Sequence, residues 1–262
     1  MPQMPTLLEM LKAGAHFGHQ GSRWHPKMQP YIFGTRNGIH VIDLEKTLLE
    51  VEKTLNYVKT LAAQGKVILF VGTKRQARGP VEAAAKSCGM PFVTERWIGG
   101  LLTNFDECKR RLKKYNTLKA EVASGEIEKY TKKEQVALKK QLEKMDKYLH
   151  GLADLDKLPD ALYIADLKVE KTAVTEANKI RVPVVAVCDT NVDPTKATYI
   201  IPANDDAVNA ITMLVNLAAE AVNEGKLDYE KAKLVLKEKE AAVKPLEPAK
   251  KERRALMKEE SV

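Results

Sequence analysis

The sequence predicts an α/β fold, a parallel sheet with helices on both faces from which a pair of antiparallel helices departs. Short β-branched apolar runs alternate with helix-period segments, and most of those runs are continuous, as in strands buried on both faces. The segment 104–150 abandons that alternation for one long seam of apolar residues three and four apart.

Taken along the chain, the predicted strands are IHVI (39–42), KVILFV (66–71), MPFV (90–93), ALYIA (161–165), VPVVAV (182–187) and TYII (198–201). Between them, 43–64 places Leu44, Leu48, Val51, Leu55 and Val58 on one helical face, and helices over 80–88, 170–180 and 205–223 complete the layers. In 104–150, Phe105, Cys108, Leu112, Tyr115, Leu118 and Val122 form the first half of the seam. Ser124-Gly125-Glu126 makes the turn, and Leu138, Leu142, Met145 and Leu149 resume the seam. Thr103 or Asn104 is the expected N-cap, with Asp106 and Glu107 in the first turn, where the helix dipole favours acids. Such a hairpin is too thin for a core of its own and is expected to project. Residues 1–103 and 151–224 thus read as the α/β body and 104–150 as a coiled-coil hairpin. Residues 225–262 read as a short helix over about 227–243 followed by a charged tail with Pro245 and Pro248.

With 262 residues, the chain is one large domain or a domain with an appendage, and it needs no disulfide or metal staple to fold. Cys88, Cys108 and Cys188 have no zinc-ribbon or CxxC spacing, which suits a reducing, cytosolic compartment. No apolar run approaches the roughly 20 residues of a membrane span, so no membrane association is expected. The opening MPQMPTLLEM lacks the features of a signal peptide, and Met1 is expected to begin the mature chain.

The net charge of +8 is unevenly placed: +6 in 1–105, +5 in 106–150, −6 in 151–224 and +3 in 225–262. One face is therefore expected to be basic and another acidic. That asymmetry suits a one-sided contact with a polyanion, although charged helix faces that only keep a protein soluble look similar.

The signatures of nucleotide and hydrolytic enzymes are missing. The 14 glycines include no GxG, neither Gly65-Lys66 nor Gly225-Lys226 has the upstream glycine of a Walker A loop, and GxSxG and HExxH do not occur. The segment Gly72-Thr73-Lys74-Arg75-Gln76-Ala77-Arg78 follows a strand and offers three cations without a nucleophile. It reads as a cradle for nucleic-acid phosphate, a site for a small phosphorylated ligand, or a structural loop. His16, His19 and His25 match no standard metal spacing, and turn, packing or stacking roles compete with metal binding. Asp189, Asp193, Asp205 and Asp206 are candidate oxygen ligands for Mg²⁺, together with one of these histidines, while a helix cap is the competing role for Asp205. The metal candidates are accordingly His16, His19, Asp189 and Asp205, for Mg or Zn, and no cofactor is required.

The segments LKAGAHFGHQ (11–20), RWHPKMQPYIFGTRNGIHVIDLEKT (23–47), FVGTKRQAR (70–78), ERWIGGLLTNF (95–105), LPDALYIADLKVEKTAVTEA (158–177), VCDTNVDP and IPANDDA (187–207) form an ordered series. Together they resemble the second small-subunit ribosomal protein family, of bacterial and organellar type, over roughly residues 6 to 224. Leu167-Lys168 stands where many relatives have Pro-Arg. The resemblance implies a Rossmann-like body with a protruding coiled-coil hairpin, no catalytic activity, and a place in the cytoplasmic ribosome. It implies a position between head and body of the small subunit, against ribosomal RNA and neighbouring ribosomal proteins, where the family helps to dock the messenger-capturing first small-subunit protein. No small-molecule substrate is implied.

On that reading the expected phosphate contacts are Arg23, Lys27, Arg36, Lys74, Arg75, Arg78, Arg96, Lys109, Arg110, Arg111 and Lys113, with Asn104 beside them. Trp24 and Trp97 are expected to stack on splayed bases, with core packing as the alternative for Trp97. Competing functions are a phosphate-ligand enzyme on the same fold, and a hairpin that docks protein while the body holds RNA.

Overall fold

The computed structural model describes residues 3–243, with side chains through Leu234. The chain opens with a short helix that the periodicity did not reveal, α1 (Leu7–Ala13). Its N-terminus is a reciprocal capping box in which Thr6 Oγ1 accepts from the Glu9 amide while the Glu9 carboxylate takes the Thr6 N–H at 2.7 Å. Next come β1 (Phe17–Gln20), β2 (Ile32–Arg36) and β3 (Ile39–Ile42), a small antiparallel sheet in the order β1-β3-β2. The run 39–42 is thus a strand, but it belongs to this accessory sheet and not to the parallel one. Asn37 and Gly38, with φ of 52° and 76°, make the tight β2–β3 turn, a conformation that Asn-Gly adopts at little cost.

The main sheet holds β4 (Ile68–Val71), β5 (Phe92–Val93), β6 (Ala161–Ile164), β7 (Val184–Cys188) and β8 (Tyr199–Pro202). All pairs are parallel, in the order β5-β4-β6-β7-β8, so the order reverses between β4 and β6. Side-chain alternation divides each strand between two cores. Phe70, Tyr163, Val185 and Val187 face α2 (Leu44–Ala63), α3 (Arg75–Ser87) and α7 (Val208–Val243). Leu69, Leu162, Ile164, Val184 and Ala186 face α6 (Lys171–Lys179) and the base of the helix pair α4 (Phe105–Ser124) and α5 (Lys132–Leu149).

Burial on both faces explains why these strands read as continuous apolar runs. It also shows where the helix pair is anchored. Cys108, Leu112, Tyr115 and Leu149 share the second core with the sheet, so the base of the pair does the work of a body helix. Across the pair Tyr115 donates its hydroxyl to Asp146, and at the base Asn116 donates to the Ala153 carbonyl at 2.8 Å. The turn carries Gly125 in the left-handed region and a helical turn at Glu126–Lys129 that buries Ile127.

Helix boundaries differ most from expectation in α3 and α7. Pro80 suggested a first helical position, but α3 begins at Arg75, because the Ala77 and Arg78 amides both close on the Lys74 carbonyl, at 2.8 and 3.1 Å. The expected break between 223 and 227 is absent, and α7 runs unbroken through Gly225. That glycine sits mid-helix because α2 passes against it. A Cβ at 225 would lie 2.4 Å from the Lys59 carbonyl oxygen and 2.6 Å from Ala62 Cβ. Gly225→Ala, which in an open helix stabilises by about 1 kcal/mol, should here destabilise by about 1–3 kcal/mol as two backbones are forced apart. Thermal unfolding of the variant reads the sign, and an unchanged or raised midpoint would refute the close approach. The expected tail beyond 243 lies outside the described residues. No described helix is long and apolar enough to cross a membrane.

Candidate nucleic-acid interface

In a doubly wound sheet, ligands bind outside the carboxyl ends of the strands, where the order reverses. Here that crevice is occupied by an ion network. The Lys74 ammonium, just after β4, lies 3.0 Å from Asp166 after β6 and 2.7 and 2.8 Å from Asp205 and Asp206 after β8. Burial alone would lower the Lys74 pKa, but hydrogen bonds to Asp205 and Asp206 and the nearby carboxylates hold it above the ordinary lysine range. Burial, and then the charges of Asp166 and Asp189, push Asp205 up to about 7. Glu170, raised by burial, accepts the Thr73 amide at 2.7 Å.

His19 joins this cluster from β1, with Nδ1 3.0 Å from the buried Asp189 and Nε2 3.7 Å from Asp206. Asp189 beside it holds the imidazole above its ordinary pKa, so its ionic contribution is complete below the usual histidine range and is lost as pH rises through the raised value. His19, Asp205 and Asp206 are the one group of three metal-type donors that converge among the described residues. His16 is not in it; burial lowers its pKa, and its Nδ1 is buried without a hydrogen-bond partner. His25 has a turn role, accepting the Lys27 amide at 3.3 Å. Asp205 spends its carboxylate on Lys74, and α7 starts only at Val208.

This arrangement corrects the phosphate-cradle expectation for 72–78. Lys74 turns inward to three carboxylates, and Arg78 is committed to the Thr73 carbonyl (3.0 Å) and to Glu95 (3.0 Å), which leaves Arg75 exposed on α3. Gly72 makes room for α3, not for a ligand, since a Cβ there would meet Val81 Cγ2 at 2.7 Å. Three carboxylates already take the Lys74 ammonium, Glu170 takes the Thr73 amide and Asp189 takes His19, so the donors of this crevice are committed within the protein and not offered to a nucleotide phosphate.

Exposed positive charge lies elsewhere. On α4, Lys109, Arg110, Arg111 and Lys113 are exposed, with Lys109 bonded to the Asp156 carbonyl at 2.7 Å and Arg110 and Arg111 both within 3.5 Å of Glu107. Asn104 is the N-cap but makes no side-chain cap bond, and Thr103 is turned to Glu176. Arg23 and Arg36 are exposed at the ends of a helical turn and of β2. Trp24 is half-buried, its ring 5.3 Å from that of His40. Lys27 pairs with Asp193 at 2.9 Å, which, after the Thr195 hydroxyl, holds that acid far below the usual carboxylate range.

Trp97 is buried, in line with the packing alternative, and its indole N–H donates to Glu176 at 3.1 Å. Glu176, on α6, also accepts the amides of Gly100, Leu102 and Thr103 at 2.8–3.3 Å. Burial opposes its charge, but these donors outweigh burial and keep its pKa below the ordinary glutamate value. This carboxylate fixes the loop that launches α4. Nothing in its local sequence marks it, because its partners lie more than seventy residues away. Arg96, next to Trp97, is exposed.

A basic helix pair joined to a parallel sheet whose ligand crevice is closed by its own carboxylates fits a structural role, and comparison with known proteins settles the lineage. The family model described as ribosomal protein S2 matches residues 10–225. The chain belongs to the ribosomal protein S2 family. It is 50% identical over 221 residues to a protein named small ribosomal subunit protein uS2 from Coprothermobacter proteolyticus, covering 84% of this chain and 82% of that one. To the protein of the same name from Geotalea uraniireducens it is 49% identical over 220 residues, covering 84% and 86%. S2 proteins are structural constituents of the ribosome and not enzymes, in agreement with the missing catalytic motifs. The Rossmann-like α/β body expected from the resemblance is the one observed.

Proposed function

We propose that this S2 protein binds small-subunit ribosomal RNA chiefly through the exposed cations of the helix pair, acting as a coiled-coil protrusion, with Arg23, Arg36, Arg75 and Arg96 extending the contact. The observation that carries this reading is the separation of charge. The helix pair is basic and its cations are exposed, whereas 151–224 carries an acidic excess from which Asp166, Asp205 and Asp206 neutralise Lys74 at the carboxyl edge of the sheet. Phosphate contacts of this kind position the protein without reading sequence.

A second surface suits protein neighbours. Leu7, Leu8 and Leu11 are exposed on α1, and Phe17 and Val208 are exposed near its end, where Gly14 approaches Phe17 and Ala207. Contiguous exposed apolar groups of this kind mark interaction sites. They fit contact with adjacent ribosomal proteins between head and body, including the messenger-capturing first small-subunit protein. The role calls for no cofactor; His19, Asp205 and Asp206 are the converging donors that Mg or Zn could use among the described residues, but the Lys74 ammonium already takes both aspartates.

Sedimentation in Mg²⁺ buffers of rising salt tests the RNA reading. The protein should travel with the small subunit and be released as salt climbs, because each phosphate contact contributes roughly 0.7–0.9 to the log–log salt slope. Arg110→Glu with Arg111→Glu should release it at distinctly lower salt without altering its unfolding, since both side chains are exposed. Normal assembly of the double variant at elevated salt would move the RNA contact off this face. A free peak at every salt would defeat the reading altogether.

A further inference from the structure

We propose that the groove at the base of the helix pair holds an unstacked nucleotide of ribosomal RNA, its base lying against Tyr148 and its flanking phosphates on Arg96, Arg111 and Lys144. This rests on the RNA-binding reading and assigns it a specific pocket. The groove is a cleft of about 510 Å³ between the loop before α4 and the facing side of α5, within the roughly 300–1,000 Å³ of small-ligand sites. Its floor is apolar, from Ile98, Met145 and Leu149 with Trp97 behind them. Its rim is cationic, and no acidic side chain lines it. Arg96 and Lys144 have no ion pair among the described residues, whereas Arg111 keeps one long contact to Glu107, at 3.5 Å.

Tyr148 is the side chain that chooses the ligand. It is 42% exposed, a large aromatic ring on α5, with the Lys147 ammonium 5.9 Å from its centre. A planar base fits against such a ring, and stacking of this kind tolerates any base. The site is also preorganised. Glu176 ties the Trp97 indole and the Gly100 amide at 3.1 and 2.8 Å, so the wall that carries Arg96 is rigid before any ligand arrives.

The cleft has a continuation. Gln141 lines it and also lines a neighbouring cleft of about 510 Å³ between α4 and α5, where Lys113 and Lys114 add two further cations beside Arg110, which pairs with Glu107 at 3.2 Å, and Glu121 is the acid in the lining. A phosphodiester chain leaving the first cleft would run along the second. The pattern is a stacking platform beside a charged track. A protein segment would have to bring a planar group with negative charge beside it, a combination that every nucleotide carries by construction.

Intact small subunits containing the full chain are irradiated with ultraviolet light, digested with protease and nuclease, and the nucleotide-modified peptides located by mass spectrometry. The proposal expects adducts within 96–99 or 141–149, reduced roughly tenfold or more by Tyr148→Ala and retained by Tyr148→Phe. Arg96→Ala with Lys144→Ala, both exposed, should cause a similar loss and guards against a local effect of the tyrosine change. Adducts confined to other segments, or a protein crosslink at 141–149, would overturn the pocket while leaving RNA binding intact. Failure to travel with the small subunit at any salt would instead defeat the RNA reading on which the pocket rests.

Discussion

Glu176→Ala is expected to cost about 3–4 kcal/mol of stability, among the largest effects of any single substitution in this protein. The carboxylate accepts from the Trp97 indole, from the amides of Gly100, Leu102 and Thr103 and from the Thr103 hydroxyl. Truncation leaves buried donors without partners, each costing about 1–3 kcal/mol if fully orphaned. The donors nearest the surface recover water, so the costs do not add. Glu176→Gln preserves the shape but presents an amide to a donor-lined site, and should lose about half as much. Urea denaturation gives the stabilities, and hydrogen exchange at the Gly100 and Leu102 amides should accelerate in the same order. A loss under 1 kcal/mol for the alanine variant would mean that the loop is held by packing alone. Because the folded-state pKa of Glu176 is depressed, its contribution is full above the ordinary glutamate range and disappears as pH falls through the lower folded value.

Lys74→Met is the second large effect, and its size should depend on pH. Removing the one cation shared by Asp166, Asp205 and Asp206 strands the buried carboxylates of Asp166 and Asp205, while Asp206 is exposed, a change that costs about 3–5 kcal/mol where the buried pair stays ionised. In the native protein Asp205 already sits at about 7, against an ordinary value of 3.8. Between those values the folded state binds the proton more tightly than the unfolded chain, so this group's contribution declines as pH rises from about 4 to 7. Without Lys74 the folded pKa rises further and the decline continues into the alkaline range. The variant should therefore lose more stability at pH 8.5 than at pH 5.5, as urea denaturation at the two values would show. An equal loss at both would mean that Lys74 acts through packing and not through charge.

These two residues mark the boundary of what local pattern reveals. The strands of the main sheet were legible because burial on both faces demands unbroken apolar runs, and α2 because Val51, Leu55 and Val58 repeat on one face. The seam of the helix pair was legible for the same reason, through Cys108, Leu112, Tyr115 and Leu118. Where the signal was carried by chemistry other than hydrophobicity, it was present but read for another purpose. Thr6 and Glu9 spell a capping box, and Asn37-Gly38 spells a tight hairpin turn, yet β1 and β2 are half-exposed and show no apolar run. Tyr148 was legible only as one aromatic among the lysines of α5.

The α/β alternation, the helix pair, the uneven charge and the family are all readable from the chain alone, because each depends on the kinds and spacing of residues along a few turns. Which charges remain outside is set by the folded sheet. Lys74 and Lys109 are both lysines near strand ends or helix starts, but the reversal of strand order brings Asp166, Asp205 and Asp206 onto the first, while the second lies exposed on α4. Whether a cation faces solvent or is neutralised depends on partners about ninety to one hundred and thirty residues away, and Coulomb attraction acts on distance in space, which only the folded sheet sets.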